Sequence, residues 1–148
     1  IDFPRHDNNW SYKYARRQWS LADADYLKYH WLGDFDKAML DFMKKTKVMS
    51  AAPAWLLNAD EENKTIVFER NNFIFVFNWG QKSLPDYEIK VKLTGDYKII
   101  FSTDAKCFGG FENIDESVVF PSERKGEEIT MKIYNVARTA AVYCVDNY

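Results

Sequence analysis

Arginines, amides and aromatic rings are interleaved at the start of this chain in a pattern that a plain core element would not need. Asp2-Phe3-Pro4-Arg5 is followed by Asn8-Asn9-Trp10-Ser11-Tyr12 and then by Tyr14-Ala15-Arg16-Arg17-Gln18-Trp19. Rings stack on pyranose faces, and Arg, Asn and Asp bond hydroxyls, so the mixture suits the lining of a sugar cleft. The chain opens directly on this segment without an initiator Met. It is therefore expected to be a piece of something longer, with its chemistry upstream.

Other chemistry-bearing residues are sparse. No glycine-rich phosphate loop and no nucleophile elbow occurs. His6 and His30 are the only histidines and neither has a cysteine nearby, so neither a zinc site nor a cofactor is expected. A retaining glycosidase needs two carboxyl groups about 5–5.5 Å apart. Asp2 with Asp7, and Asp23 with Asp25, are the nearest candidates. The second pair reads as helix-capping and first-turn charge. None of these acids has the apolar setting that raises a general acid, so no catalytic pair is assigned. Gly109-Gly110 reads as a bend near a sheet edge, and Cys144 as a small core residue.

Size and charge bound the rest. A chain of 148 residues makes one domain, or one domain with an appended segment. Its formal charge of −2 gives no reason to expect a nucleic-acid partner. No apolar run approaches the ~20 residues of a membrane helix. Two cysteines do not make a disulfide framework, and the chain reads as cytoplasmic. Base exceeds acid in residues 1–50 and acid exceeds base afterwards, which suggests a change of segment near residue 50.

The positioning elements follow from periodicity. Residues 1–50 read as helical after an irregular start. Asp23 is the expected N-cap of a short helix that ends at Gly33, and Asp34 caps a second. Phe35, Ala38, Met39, Phe42 and Met43 then form one apolar stripe. Beyond Pro53 the period becomes 2. Strands are expected at Thr65–Glu69, Phe73–Phe77, Tyr87–Leu93, Tyr97–Ser102, Ile129–Tyr134 and Thr139–Val145. Asn71-Asn72 marks a tight hairpin, and Phe73–Phe77 suits a central strand covered on both faces. The fold class is mainly β, an antiparallel β-sandwich preceded by a helical segment.

At this point the opening segment, Asp2-Phe3-Pro4-Arg5 through Trp19, resembles the closing portion of a 1,4-α-glucan (glycogen) branching enzyme of the α-amylase superfamily, the eukaryotic type above all. The likeness continues through Leu21-Ala22-Asp23, Phe35-Asp36-Lys37-Ala38-Met39, Val67-Phe68-Glu69-Arg70, Phe75-Val76-Phe77-Asn78, Gly95-Asp96-Tyr97-Lys98, Phe108-Gly109-Gly110-Phe111 and Ala137-Arg138-Thr139-Ala140. Asn78-Trp79-Gly80 departs from the family's usual Asn-Phe-His, and His6-Asp7 from its usual loop sequence.

The resemblance implies that residues 1–50 end a (β/α)8 catalytic barrel and that residues 51–148 form the C-terminal all-β domain. It implies a retaining transglycosylation in the whole protein: an Asp nucleophile, a Glu acid/base, and transfer of the cut α-1,4 chain to a 6-hydroxyl. Those carboxylates lie on earlier barrel strands, so the 148-residue chain is expected to be inactive. Asp2, Arg5 and Asn9 are the expected glucan contacts at the edge of the cleft. Two other readings stand beside this one. The sandwich could itself bind α-glucan, with Trp79, Tyr87 or Phe108 as platforms, or the parent could be a related amylase-type hydrolase. Without its barrel, the stripe Phe35–Met43 must fold onto the sandwich or meet a second copy. Self-association, or disorder in residues 1–30, is the expected consequence.

Overall fold

The computed structural model describes residues 3–13, 15 and 18–145. Helix α1 spans Trp19–Ala22 and α2 spans Tyr29–Thr46. Eight strands follow: β1 Trp55–Asp60, β2 Thr65–Arg70, β3 Phe73–Asn78, β4 Leu84–Val91, β5 Asp96–Ser102, β6 Val119–Lys125, β7 Glu128–Asn135 and β8 Thr139–Val145. Every pairing is antiparallel, in the order β1-β2-β3-β8-β5-β6-β7-β4.

One strand turns this ribbon into two layers. Val119–Pro121 of β6 pairs with β5, whereas Ser122–Lys125 pairs with β7. The sheet folds over at that switch, as strands that change layers do. Between the layers lie Val67, Ile74, Val76, Ile89, Tyr97, Met131, Ile133 and Tyr143, each at most 2% exposed. Polar side chains close the opposite side. Tyr87 Oη donates to Asp60 Oδ2 (3.1 Å) and accepts from Asn58 Nδ2 (2.8 Å), tying β4 to β1. Asn135 Nδ2 donates to Thr65 Oγ1 (3.1 Å), and Asn78 Nδ2 to the Asn135 carbonyl (3.2 Å). Buried polar groups of this kind are tolerated because each finds a partner.

The helix covers the outside of the first layer. Phe42 meets Phe73 edge-on at 5.5 Å and stacks on Phe101 at 5.7 Å; Phe35 packs on Phe101 and Phe108 at 5.5 and 5.4 Å. Under them Val48, Phe73, Val142 and Cys144 form a second buried cluster. The stripe Phe35–Met43 thus lies on the sandwich. β3 is central, with Ile74 and Val76 in the inner core and Phe73 under the helix.

The join between helix and sheet is fastened by the β2–β3 turn. Asn71 and Asn72 take left-handed backbone (φ 53° and 65°), as the tight hairpin requires. Asn71 Nδ2 donates to the Thr46 carbonyl at 2.9 Å, occupying one of the orphan acceptors at the end of α2. Arg70 donates to the carbonyls of Met49, Ala51 and Ala52 at 3.1–3.2 Å.

Two expectations need correction. Asp23 does not start a helix; it closes α1, and α2 begins after Lys28 with no side-chain cap. Nor does Gly33 end a helix, because α2 runs through it for 18 residues. An interior glycine costs only about 1 kcal/mol, and the half-buried stripe that follows it packs on the sheet, which outweighs that. Gly109 holds more than a bend: it sits at φ 76°, and a Cβ there would fall 2.2 Å from the Trp31 ring. Gly110 is as tightly placed against the Asp104 backbone, at 2.1 Å.

These two kinds of glycine predict opposite outcomes in urea denaturation. Gly33 is helical with nothing within 4 Å of an added Cβ, so Gly33→Ala raises stability by roughly 0.5–1 kcal/mol. Gly109→Ala lowers it, since both backbone and Trp31 must give. A destabilising Gly33→Ala would contradict a continuous α2.

The buried phenols make a further prediction. Burial, reinforced by Asp60, pushes Tyr87 up to about 12; burial, reinforced by Glu69, does the same to Tyr97. Burial also raises Tyr143. Raised groups contribute stability that is complete below their unfolded value near 10 and is lost as pH climbs through about 12. The urea midpoint should hold from pH 7 to 9.5 and fall steeply above pH 10. A midpoint unchanged at pH 11.5 would count against these burials.

Candidate functional site

The opening segment folds on itself around Asn8. Its Oδ1 accepts from the Arg5 amide (2.9 Å) and its Nδ2 donates to the Phe3 carbonyl (3.0 Å). Residues His6–Asn8 make one 3-10 turn, followed by Asn9 and Trp10 in left-handed backbone at φ 53° and 56°. The Arg5 carbonyl accepts from the amides of Asn8 and Trp10 at 3.2 and 2.9 Å. Short polar side chains that bond the nearby backbone stabilise such turns.

Arg5 and Asn9 therefore sit on one exposed knot, beside Trp10 at 66% exposure. Arg5 Nε lies 3.7 Å from Asp7 Oδ2, an ion pair in solvent that is worth little. Asp2, Tyr14, Arg16 and Arg17 lie outside the described residues. Asn8, the residue that organises the knot, was not singled out by sequence reasoning. Its signal was an amide side chain three residues after Arg5, in a stretch with no helical period.

The remaining candidates are structural. Asp7, Asp23 and Asp25 are exposed, with no apolar enclosure. His30 Nδ1 lies 2.7 Å from the Leu27 carbonyl and packs edge-on to Trp31. Among the described residues, no group of three or more His, Cys, Asp and Glu could hold a metal ion. Glu116 is a carboxyl raised above its ordinary value, by burial and by Asp104 and Glu112. It lines an open dish of about 590 Å³ with Lys106, Cys107, Glu112 and Asp115. Asp115 there is held low by the hydroxyl and amide of Ser117. Asp104 accepts the amides of Phe111 and Ile114, so that loop is accounted for by its own turn bonds.

Of the three expected platforms, two are occupied. Tyr87 belongs to the β1–β4 seam, and Phe108 packs against Phe35 and Phe101. Trp79 remains 60% exposed. Separately, α1 and α2 border a trough of about 900 Å³ lined by Trp19, Leu21, Tyr29, Leu32 and Asp34.

Comparison with known proteins places this geometry. Residues 55–146 match the family described as alpha amylase, C-terminal all-beta domain. The chain is 40% identical to the 1,4-alpha-glucan-branching enzyme of Rhizophagus irregularis over 146 residues, covering 96% of this chain and 21% of that protein. It is 41% identical to the 1,4-alpha-glucan-branching enzyme of Candida glabrata over 146 residues, with the same coverage. The chloroplastic/amyloplastic 1,4-alpha-glucan-branching enzyme of Oryza sativa subsp. japonica is 40% identical over 119 residues, covering 80% of this chain and 14% of that protein. The chain thus spans about a fifth, or less, of the length of these relatives. The 96% coverage carries the likeness beyond the strands into the helical segment. The all-β architecture and the family match agree, and the chain belongs to the alpha-amylase C-terminal all-beta domain family.

Proposed function

We propose that this chain is the closing part of a 1,4-α-glucan branching enzyme and serves there as a scaffold. The observation that carries the reading is a likeness to branching enzymes over 96% of the chain, helical segment included. Residues 1–50 are the last loop and helices of the catalytic barrel, and residues 51–148 are the β domain that buttresses it. The whole protein cleaves an α-1,4 bond, holds the cut chain on an Asp, and passes it to a 6-hydroxyl. The Asp and Glu for those steps belong to the barrel. This chain supplies Asp2, Arg5 and Asn9 to the edge of the glucan cleft, with Asn8 fixing the turn that carries the last two.

The trough between α1 and α2 supports the scaffold role. Leu32 is 72% exposed and Tyr29 61%, in the first turn of α2. Apolar patches of this kind mark contact surfaces. In the whole protein the barrel covers them; in the 148-residue chain a second copy does. No helix among the described residues is long and apolar enough to cross a membrane. We place the protein in the cytoplasm.

The fall in amylose–iodine absorbance tests the function. The whole protein should produce it and the 148-residue chain should not. Arg5→Ala or Asn9→Ala in the whole protein should lower kcat/KM by roughly 5–30-fold, the loss of one or two substrate hydrogen bonds. Activity in the short chain, or none in the whole protein, would refute the reading. Light scattering after size exclusion tests the exposed face: the short chain should gain mass with concentration, and Leu32→Lys should abolish the gain. A strictly monomeric short chain would refute that contact.

A further inference from the structure

Four aromatic rings stack in a row on the outer face of the first layer, starting at Phe75, which borders the α2 cluster, and running away from it. Phe75 and Phe68 are register partners on β3 and β2, with centroids 4.9 Å apart and planes within 11°. Phe68 stacks on Phe77 at 5.8 Å and 15°, and Phe77 on Trp79 at 5.4 Å and 14°. The period of 2 along the strand puts Phe75, Phe77 and Trp79 on one side, and Phe68 fills the gap between the first two. The row ends on Trp79, the most exposed of the four.

That last ring is held firmly from behind. The Trp79 amide donates to the Lys64 carbonyl at 3.0 Å. The next amide, Gly80, donates to Asn78 Oδ1 at 2.8 Å, and Asn78 is 1% exposed and bonded to the Asn135 carbonyl. Gly80 is required there, because a Cβ would fall 2.7 Å from the Asn63 carbonyl. A ring whose backbone is fixed by hydrogen bonds and whose face is backed by another ring loses little freedom when something stacks on it. Its neighbours along the chain, Gln81 and Lys82, are exposed and can bond hydroxyls.

We infer that Trp79 is a sugar-stacking site, at which a pyranose of an α-1,4-glucan continues the ring row by one more layer. This rests on the proposal that the whole protein works on α-glucan. The C–H-lined, slightly positive face of a pyranose fits the end of a stack of near-parallel rings, where the aromatic face is electron-rich. A nucleobase could stack as well, but the chain's net charge of −2 does not favour a phosphate-bearing partner. Trp at this position, in place of the Phe of the resembled pattern, gives a wider face.

The test uses the 148-residue chain in native gels with and without glycogen, and in ¹H–¹⁵N spectra titrated with maltoheptaose. Glycogen should retard the chain, and maltoheptaose should shift the Trp79 indole resonance, assigned by its absence in Trp79→Phe. Trp79→Ala should weaken retardation at least roughly fivefold, the lower end of what ring stacking contributes, with an unchanged urea midpoint. Trp79→Phe should retain part of it, and Phe111→Ala, at an exposed ring elsewhere, all of it. Retardation unaffected by Trp79→Ala, or absent from the wild-type chain, would overturn the site. Either result leaves the iodine assay of the whole protein untouched. Conversely, an inactive whole protein with Trp79-dependent retardation would remove the branching reading alone.

Discussion

The packing of α2 on the outer face of β3, β8 and β5 is the contact on which the rest of the structure depends. A sheet whose central strand reads Phe73-Ile74-Phe75-Val76-Phe77 is apolar on both faces, and only one face can be buried against the other layer. The helix resolves this by placing Phe35 and Phe42 over Phe73 and Phe101. Phe73 becomes fully buried only because α2 lies on it. The same contact orients the polar fastenings. Arg70 and Asn71 can reach the carbonyls at residues 46–52 because the hairpin that carries them ends beside the end of α2.

This interlock gives the proposed scaffold role its physical content. The segment likened to the end of a catalytic barrel and the strands likened to a following domain share one aromatic cluster. Gly109 adds a second fixed point, where the loop after β5 presses its backbone against Trp31. A helix joined to the sheet by a free linker would not be held in this way.

Much of this was legible in the sequence. Alternation located β7, short apolar runs bounded by turn residues located β2, β3, β5 and β8, and the Asn71-Asn72 pair located the β2–β3 turn. What periodicity missed has local causes. β1 carries an irregularity between Leu56 and Asn58 that breaks its alternation. β6 contains Pro121 and changes partners halfway, so it buries only Phe120. β4 begins earlier than its alternation because Asp86, at φ 53°, interrupts the pattern. The helix break expected at Gly33 failed because propensity is weak against tertiary burial. At the candidate site the residue types were readable, yet the organising role of Asn8 was not, since it consists of bonds to backbone atoms.

Native-state hydrogen exchange on the 148-residue chain tests the central claim most directly, because it reads which segments open together. If α2 and the sheet are one unit, amides of Phe35–Met43 should exchange with the same free energy and urea dependence as those of β3 and β8. Exchange of α2 through a separate, low-energy opening, while β3 and β8 stay protected, would contradict the account.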